Sequence, residues 1–387
     1  MTSRKLVGLG PKNMFRRSTP SFESASMEHL VLERAHERAE DVLAERIQES
    51  DFVGVYREKE IEADKEEVAR RKLRAEKGQT KEKEELKKTA DVFEAIVLEQ
   101  GELSKWFGEY GYTIGASEYD DWINGIDLLV EFRQPNLPEA PLLALGIDVT
   151  FSIDVTDKFD RVRKQIEDGS LAKIKYFSSE HSTEKGPRDN LPEVIVGVSA
   201  KTVNELQELW LGRDQMAIEQ HRIQIMILME IKEQLLTFIE YSCSLNDKRL
   251  AGIFENRLEI VEKLLGKKND IYLKVANELE GDPVFRAITE YMREWRRIIK
   301  KSQEKQKQIE ETEENKPLTL KESAEVQRGL VVASRLQLSD WIPRYGVKFR
   351  RMVDGDPTIR EMVRNDREGA LREITRRLYG GETKSAV

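Results

Sequence analysis

Residues 118–150 read EYDDWINGIDLLVEFRQPNLPEAPLLALGIDVT. Two apolar runs stand out, NGIDLLVEF (124–132) and LLALGIDVTFS (142–152), each bounded by turn-forming residues. Such short runs, rich in branched and aromatic side chains, predict β-strands. The connection RQPNLPEAP holds three prolines, which suit a link between strands and not a strand interior. Each run carries one acid among apolar neighbours: Asp127 between Ile126 and Leu128, and Asp148 between Ile147 and Val149. Burying a carboxylate there is costly unless it is hydrogen-bonded, paired or bound to a cation.

Neighbouring strands lie ~5 Å apart, so Asp127 and Asp148 can converge on one divalent ion if they face a common cleft. Ligation by oxygen alone suits Mg²⁺ or Mn²⁺. A metal held there activates water and neutralises a phosphodiester oxygen. The bland alternative is that Asp148 caps a turn or pairs with a basic residue, while Asp127 sits at a strand end. Glu118, Asp120 and Asp121 are further candidate ligands, or a polar loop turned by Asn124–Gly125.

Outward from this stretch, DVFEAIVLEQGELSKWFGEYG (91–111) predicts an amphipathic helix with Phe93, Ile96, Val97, Leu103, Trp106 and Phe107 towards a core. Gly108 and Gly111 end it. YTIGAS reads as a strand, and Asp157–Asp168 as a helix with Phe159, Val162 and Ile166 on one face. LAKIKYF and PEVIVGVSA follow as strands, separated by the polar loop SSEHSTEKGPRDN. The expected fold is α+β or α/β, with a central mixed sheet of four to five strands flanked by helices.

This order, an acidic helix, a Gly-x-Asp strand, a Pro-rich connection, a second Asp strand and a helix, resembles the PD-(D/E)XK nuclease superfamily over residues 90–200. The resemblance implies a restriction-endonuclease-like fold and a metal-dependent nuclease acting on DNA or RNA. It implies Asp127 and Asp148 as metal ligands and Glu99 as the helix acid, with Glu94 or Glu102 as alternatives. The superfamily places a lysine two residues after the second acid. Here that position is Thr150, whose hydroxyl brings no charge. Lys158 or Lys164 on the following helix is the expected substitute. Without one, the implied function is a catalytically inactive nuclease-like domain in a helical interaction or scaffold protein.

The 387 residues carry a net charge of -8, so a nucleic-acid partner needs a local basic patch or bridging cations. A lone cysteine, Cys243, excludes an internal disulfide and a Cys-rich zinc site, and fits a reducing cytoplasm. His29, His36, His181 and His221 lack metal-ligand spacing. Residues 1–26 read as a tail without a secretory signal, and Gly8 and Gly10 form no phosphate loop.

Residues 27–89 read as a charged helical extension, with an apolar stripe in its first half and interleaved Glu and Lys over 57–88. Regular a/d positions for a sustained coiled coil are missing. After 90–200 come a helical region, 201–310, and a helical or irregular C-terminal region, 311–387. Residues 202–243 predict one long or once-broken helix. Its apolar run is interrupted by Glu230, Lys232 and Glu233, as in a buried helix and not a membrane span. The helices suit protein partners or self-association. Lys173 and Lys175, the basic stretch 292–307 and KFRRM near Arg350 are candidate phosphate contacts, with solvated faces the commoner explanation.

Overall fold

A computed structural model of the protein describes residues 22–77, 80–133, 143–179 and 183–314. The elements up to Ile299 form one compact α+β unit. Its strands are β1 (Gly111–Gly115), β2 (Leu128–Phe132), β3 (Leu143–Thr150), β4 (Ala172–Ser178), β5 (Lys185–Leu191) and β6 (Glu193–Gly197). Four of them make a mixed sheet in the order β1-β2-β3-β6. The first two pairs are antiparallel, and β3 pairs parallel to β6. A parallel pair requires a long crossover, supplied by α4 (Thr156–Glu167) and the β4–β5 hairpin.

The hairpin differs from the sequence expectation. LAKIKYF pairs with Lys185–Leu191 outside the central sheet, where the sequence predicts a polar loop up to Asn190. KGPRDNL carries Gly, Pro and Asn because β5 pairs only with β4 and leaves most of its side chains to solvent. A strand with so little to bury lacks the apolar alternation by which strands are found. The hairpin covers one face of the sheet through Ile174, Phe177 and Leu191, packed on Leu129 and Ala144.

The opposite face is covered by helices. α1 (Phe22–Ala44) and α3 (Lys81–Leu103) pack there, α3 burying Val92, Phe93, Ile96 and Val97, while α2 (Glu58–Glu76) packs instead against Tyr176 of the hairpin. Each fully buried side chain of this kind contributes roughly 1.5–3 kcal/mol. The Thr113 hydroxyl of β1 donates to the Leu98 carbonyl at 2.6 Å, and Gly101 lets α3 come this close, since a Cβ there would run into Thr113. Trp106 and Phe107 are buried just past the helix end. Leu32, Ala35, Ala39 and Leu43 of α1 join the same core, so this half of the charged extension is integral to the unit. Residues 57–88 are broken between α2 and α3, and α2 buries Ile61 and Val68. On α4, the buried face is Phe159, Val162 and Ile166.

The region after β6 is helical: α5 (Ala200–Leu211), α6 (Gln215–Glu219), α7 (Ile223–Ser244), α8 (Lys248–Lys267), α9 (Asn269–Leu279) and α10 (Pro283–Glu314). The expected 202–243 helix is broken twice, with Asp214 capping α6. The acids inside the apolar run of α7 acquire a reason. Strand β6 is a sheet edge, whose outward N–H and C=O groups need partners. Gln234 accepts from Ile195 N at 2.8 Å and donates to Ile195 O at 2.6 Å, and Glu230 accepts from Gly197 N at 3.0 Å. Thus α7 completes the strand with side chains. No helix among the described residues is long and apolar enough to cross a membrane. Most of the proposed tail, residues 1–21, and the C-terminal region from 315, including KFRRM, lie outside the described residues, as does His181.

Candidate active site

Strands β2 and β3 pair Leu128 with Ile147, and one step further Asp127 stands across from Asp148. Residues directly opposite on antiparallel strands share a face. Asp127 N donates to Ile147 O at 2.9 Å, and Val149 N donates to Asp127 Oδ2 at 2.6 Å, fixing one carboxylate oxygen against β3. Before β2 the chain makes a single π-helical turn, Asp120–Asn124, closed by Gly125 at φ 72°. Glycine suits that left-handed position, and a Cβ there would come within 2.8 Å of the Arg161 guanidinium. The turn separates two adjacent acids. Asp120 is buried and accepts from Ser117 Oγ (2.8 Å), Asn124 Nδ2 (2.6 Å), Lys175 N (2.7 Å) and Tyr176 N (2.9 Å), which ties the turn to β4. Asp121 points towards Asp127 and shares a hydrogen bond with it.

Glu94 of α3 completes the group. It lines the same cleft, of about 1100 Å³, as Asp121, Asp127, Asp148, Lys158 and Arg161. The electrostatics follow from the crowding. Burial, then Asp148, Glu94 and Asp121, push the Asp127 carboxyl well above its ordinary range, and the Val149 N–H opposes them only in part. Burial and Asp121 raise Glu94 to about 8 against the pull of Arg46. Burial raises Asp121 to about 6, although Arg46 and the bond to Asp127 act the other way.

The cations come from α4. Lys158 Nζ donates to Asp148 Oδ1 and, at 2.8 Å, to Val149 O. Arg161 bonds Asp148 Oδ2 and the buried Glu193, whose other oxygen accepts from Gln165 at 3.1 Å. Lys158 and Arg161 are three residues apart, so one face of α4 carries both.

Several sequence candidates fall elsewhere. Glu99 is bonded by Arg38 (3.0 Å) and Trp210, away from the cleft. Five residues separate it from Glu94, which is about 140° around a helix, so only one of them can face the acids. Glu102 is not on this cleft either and lines a different one. Lys164 is exposed, six residues past Lys158. Thr150 is buried, and its hydroxyl accepts from Ser152 N at 3.2 Å without lining the cleft. Lys175 sits among Tyr56, Tyr119 and Tyr176 and pairs with Asp64, while Lys173 pairs with Asp189 at 3.4 Å. In the basic stretch, Trp295 is buried against Phe238 and Arg296 pairs with Glu233. Arg161 and Glu193 carry no sequence signal beyond their charge. Asp121 was one of three equivalent acids until the π-turn aimed it.

The donors on offer for a metal are carboxylate oxygens, the chemistry of Mg²⁺ or Mn²⁺ and not of zinc. Among the described residues no three His, Cys, Asp or Glu side chains already stand at mutual metal-ligand spacing. Compared with known proteins, the chain matches no family model, no curated protein and no solved structure.

Proposed function

We propose that the protein is a metal-dependent phosphodiester hydrolase with a restriction-endonuclease-like core, acting on DNA or RNA. One observation carries the reading: Glu94, Asp121, Asp127 and Asp148, brought from a helix, a turn and two strands, meet in one cleft, where burial and crowding raise the carboxyls of Glu94, Asp121 and Asp127. Such crowding costs stability, and clusters of shifted carboxyls in a cleft are concentrated at functional sites. A divalent cation fits this cluster because it would relieve the crowding that raises the Asp127 carboxyl. Asp127 and Asp148 would hold it, with Glu94 and Asp121 beside them. When bound, such an ion activates water and neutralises phosphate charge.

The chain's own groups supply the rest. The Val149 N–H orients Asp127, and Arg161 and Lys158 orient Asp148. Lys158 Nζ stands in for the lysine that the superfamily carries two residues after the second acid. Its ammonium reaches the cleft from the first turn of α4 and can turn a proton towards a phosphate oxygen.

A second reading, an inactive nuclease-like module in a helical interaction protein, draws on a different observation. Lys158 and Arg161 already take both oxygens of Asp148, which makes a self-neutralised cluster. The test is the thermal midpoint of the full chain with and without Mn²⁺ or Mg²⁺, together with cleavage of end-labelled DNA and RNA. The hydrolase reading expects the ion to raise the midpoint, and Asp148→Asn to abolish both the rise and the cleavage. If wild type and Asp148→Asn respond alike and neither cleaves, the second reading stands.

A further inference from the structure

The carboxylates lie at the foot of a cleft whose outer wall is the α1–α2 segment. His36 and Glu40 of α1, and Lys72 and Glu76 of α2, line the cleft opposite Asp127 and Asp148. This wall is fastened down. Arg71 of α2 donates to Trp122 O at 2.6 Å, and Lys72 pairs with Glu118 at 2.7 Å. Asp64 accepts from Tyr176 Oη at 2.6 Å and binds Lys175, while Tyr56 Oη donates to Lys175 O at 2.9 Å. Ile61 and Val68 bury the inner side of α2. The ties reach the π-turn, β4 and the short link between β1 and that turn, so the wall is part of the fold.

From this wall we infer that the site takes a single, unpaired nucleic-acid strand and turns away continuous duplex. The inference rests on the phosphodiesterase reading and narrows its substrate. The tied-down α2 lines the same cleft as Asp127 and Asp148, so a substrate must enter beside a fixed wall. Charge points the same way. Duplex brings one phosphate per ~1.7 Å of axis and a single strand one per ~3.4 Å, and Glu40 and Glu76 on the walls oppose the denser array. Trp122 is the third observation. Half-buried in the cleft lining next to Asp121, with its carbonyl pinned by Arg71, it offers an indole to a base. A base can stack on an aromatic side chain only after leaving its own stack, as in single strands. Exposed Lys87 on α3, at the same cleft, is placed for a phosphate.

The experiment is fluorescence anisotropy on the full chain, with Ca²⁺ replacing Mg²⁺ to prevent cutting. The probes are an unstructured 20-nucleotide DNA strand, its RNA counterpart and a blunt hairpin duplex of the same sequence. At least one single strand is expected to bind tenfold or more tighter than the duplex. Trp122→Ala is expected to lose about tenfold on that strand, with Trp122→Phe recovering most of it and neither altering duplex binding. Asp64→Asn with Arg71→Ala, which loosens the wall, should raise duplex affinity, and a thermal melt checks that each variant is folded. A duplex bound as tightly as the single strands overturns the inference and leaves the hydrolase reading intact. So does a single-strand preference untouched at Trp122 in folded variants. Failure to bind any probe overturns both.

Discussion

Two acids, the half-buried Asp127 and the buried Asp282, show how differently one protein can treat a carboxylate. Asp282 precedes α10 and accepts hydrogen bonds from Ser199 N and Oγ, Thr202 Oγ1, Val284 N and Phe285 N, at 2.6–3.2 Å. Burial pushes its carboxyl up, but the bonds from Thr202, Ser199 and Phe285 outweigh that and hold it below the ordinary value. Asp127 has one backbone donor to its carboxylate, Val149 N, and three acids around it, and its carboxyl is driven upward. The first arrangement locks the α5–α10 corner. The second crowds its carboxyls without such a set of donors, an arrangement that on the proposed reading a cation would relieve.

The comparison is broken most forcefully at Asp282. Replacing it by Ala strips the acceptor from five donors, and a loss of about 3 kcal/mol or more is expected in urea unfolding. A loss below 1 kcal/mol would mean that water replaces the carboxylate and that the corner is no lock.

At Asp127 the sign reverses. Asp127→Asn keeps an oxygen for Val149 N and removes a shared charge. Without added metal it is expected to stabilise the chain by about 1–2 kcal/mol at pH 7.5. Equal or lower stability there would show that the cluster is already relieved by Lys158, Arg161 and Arg46.

The pH profile sharpens the same contrast. The unfolded carboxyls titrate near pH 4, whereas folded Asp121 titrates at about 6 and Glu94 at about 8. Between these limits the folded state holds more protons than the unfolded one. The cleft therefore lowers stability as pH rises from about 4.5 to 8 and does no harm below pH 4. Metal-free wild type should lose several degrees of thermal midpoint over that window, and Asp127→Asn with Glu94→Gln should flatten the slope. Mn²⁺ should flatten it too, by occupying the charged form.

The smallest expected effect separates the two glutamates of α3. Glu99→Gln weakens charged bonds to Arg38 and Trp210 and should cost about 0.5–1 kcal/mol. Glu94→Gln should cost nothing, stabilise slightly at pH 8 and weaken Mn²⁺ binding in calorimetry. Identical behaviour of the two variants would remove Glu94 from the site.

Much of the core was legible because burial writes itself into periodicity. The Phe159, Val162, Ile166 face of α4 and the helices from Lys248 onward follow apolar spacing to within a few residues at most starts. The polar half of the hairpin was not legible, since β5 buries little. The choice of Glu94 over Glu99 was not legible either. Both lie on a helix with several acids, and the rotation of α3 about its axis is set by Thr113, Gly101 and the packing of α1.

By itself the sequence determined that two apolar strands each carry an acid, and a strand's two-residue alternation leaves an acid flanked by apolar neighbours facing away from them. It also determined that a helix with Phe159, Val162 and Ile166 on one face follows the second strand. Only the tertiary structure decided which charges meet. The register of β2 on β3 set Asp127 across from Asp148, the π-turn aimed Asp121, α4 delivered Lys158 and Arg161, and α1 and α2 folded back as a wall. Local pattern records what a residue hides from water. The convergence of polar groups from distant elements depends on packing angles and register, which no local pattern records.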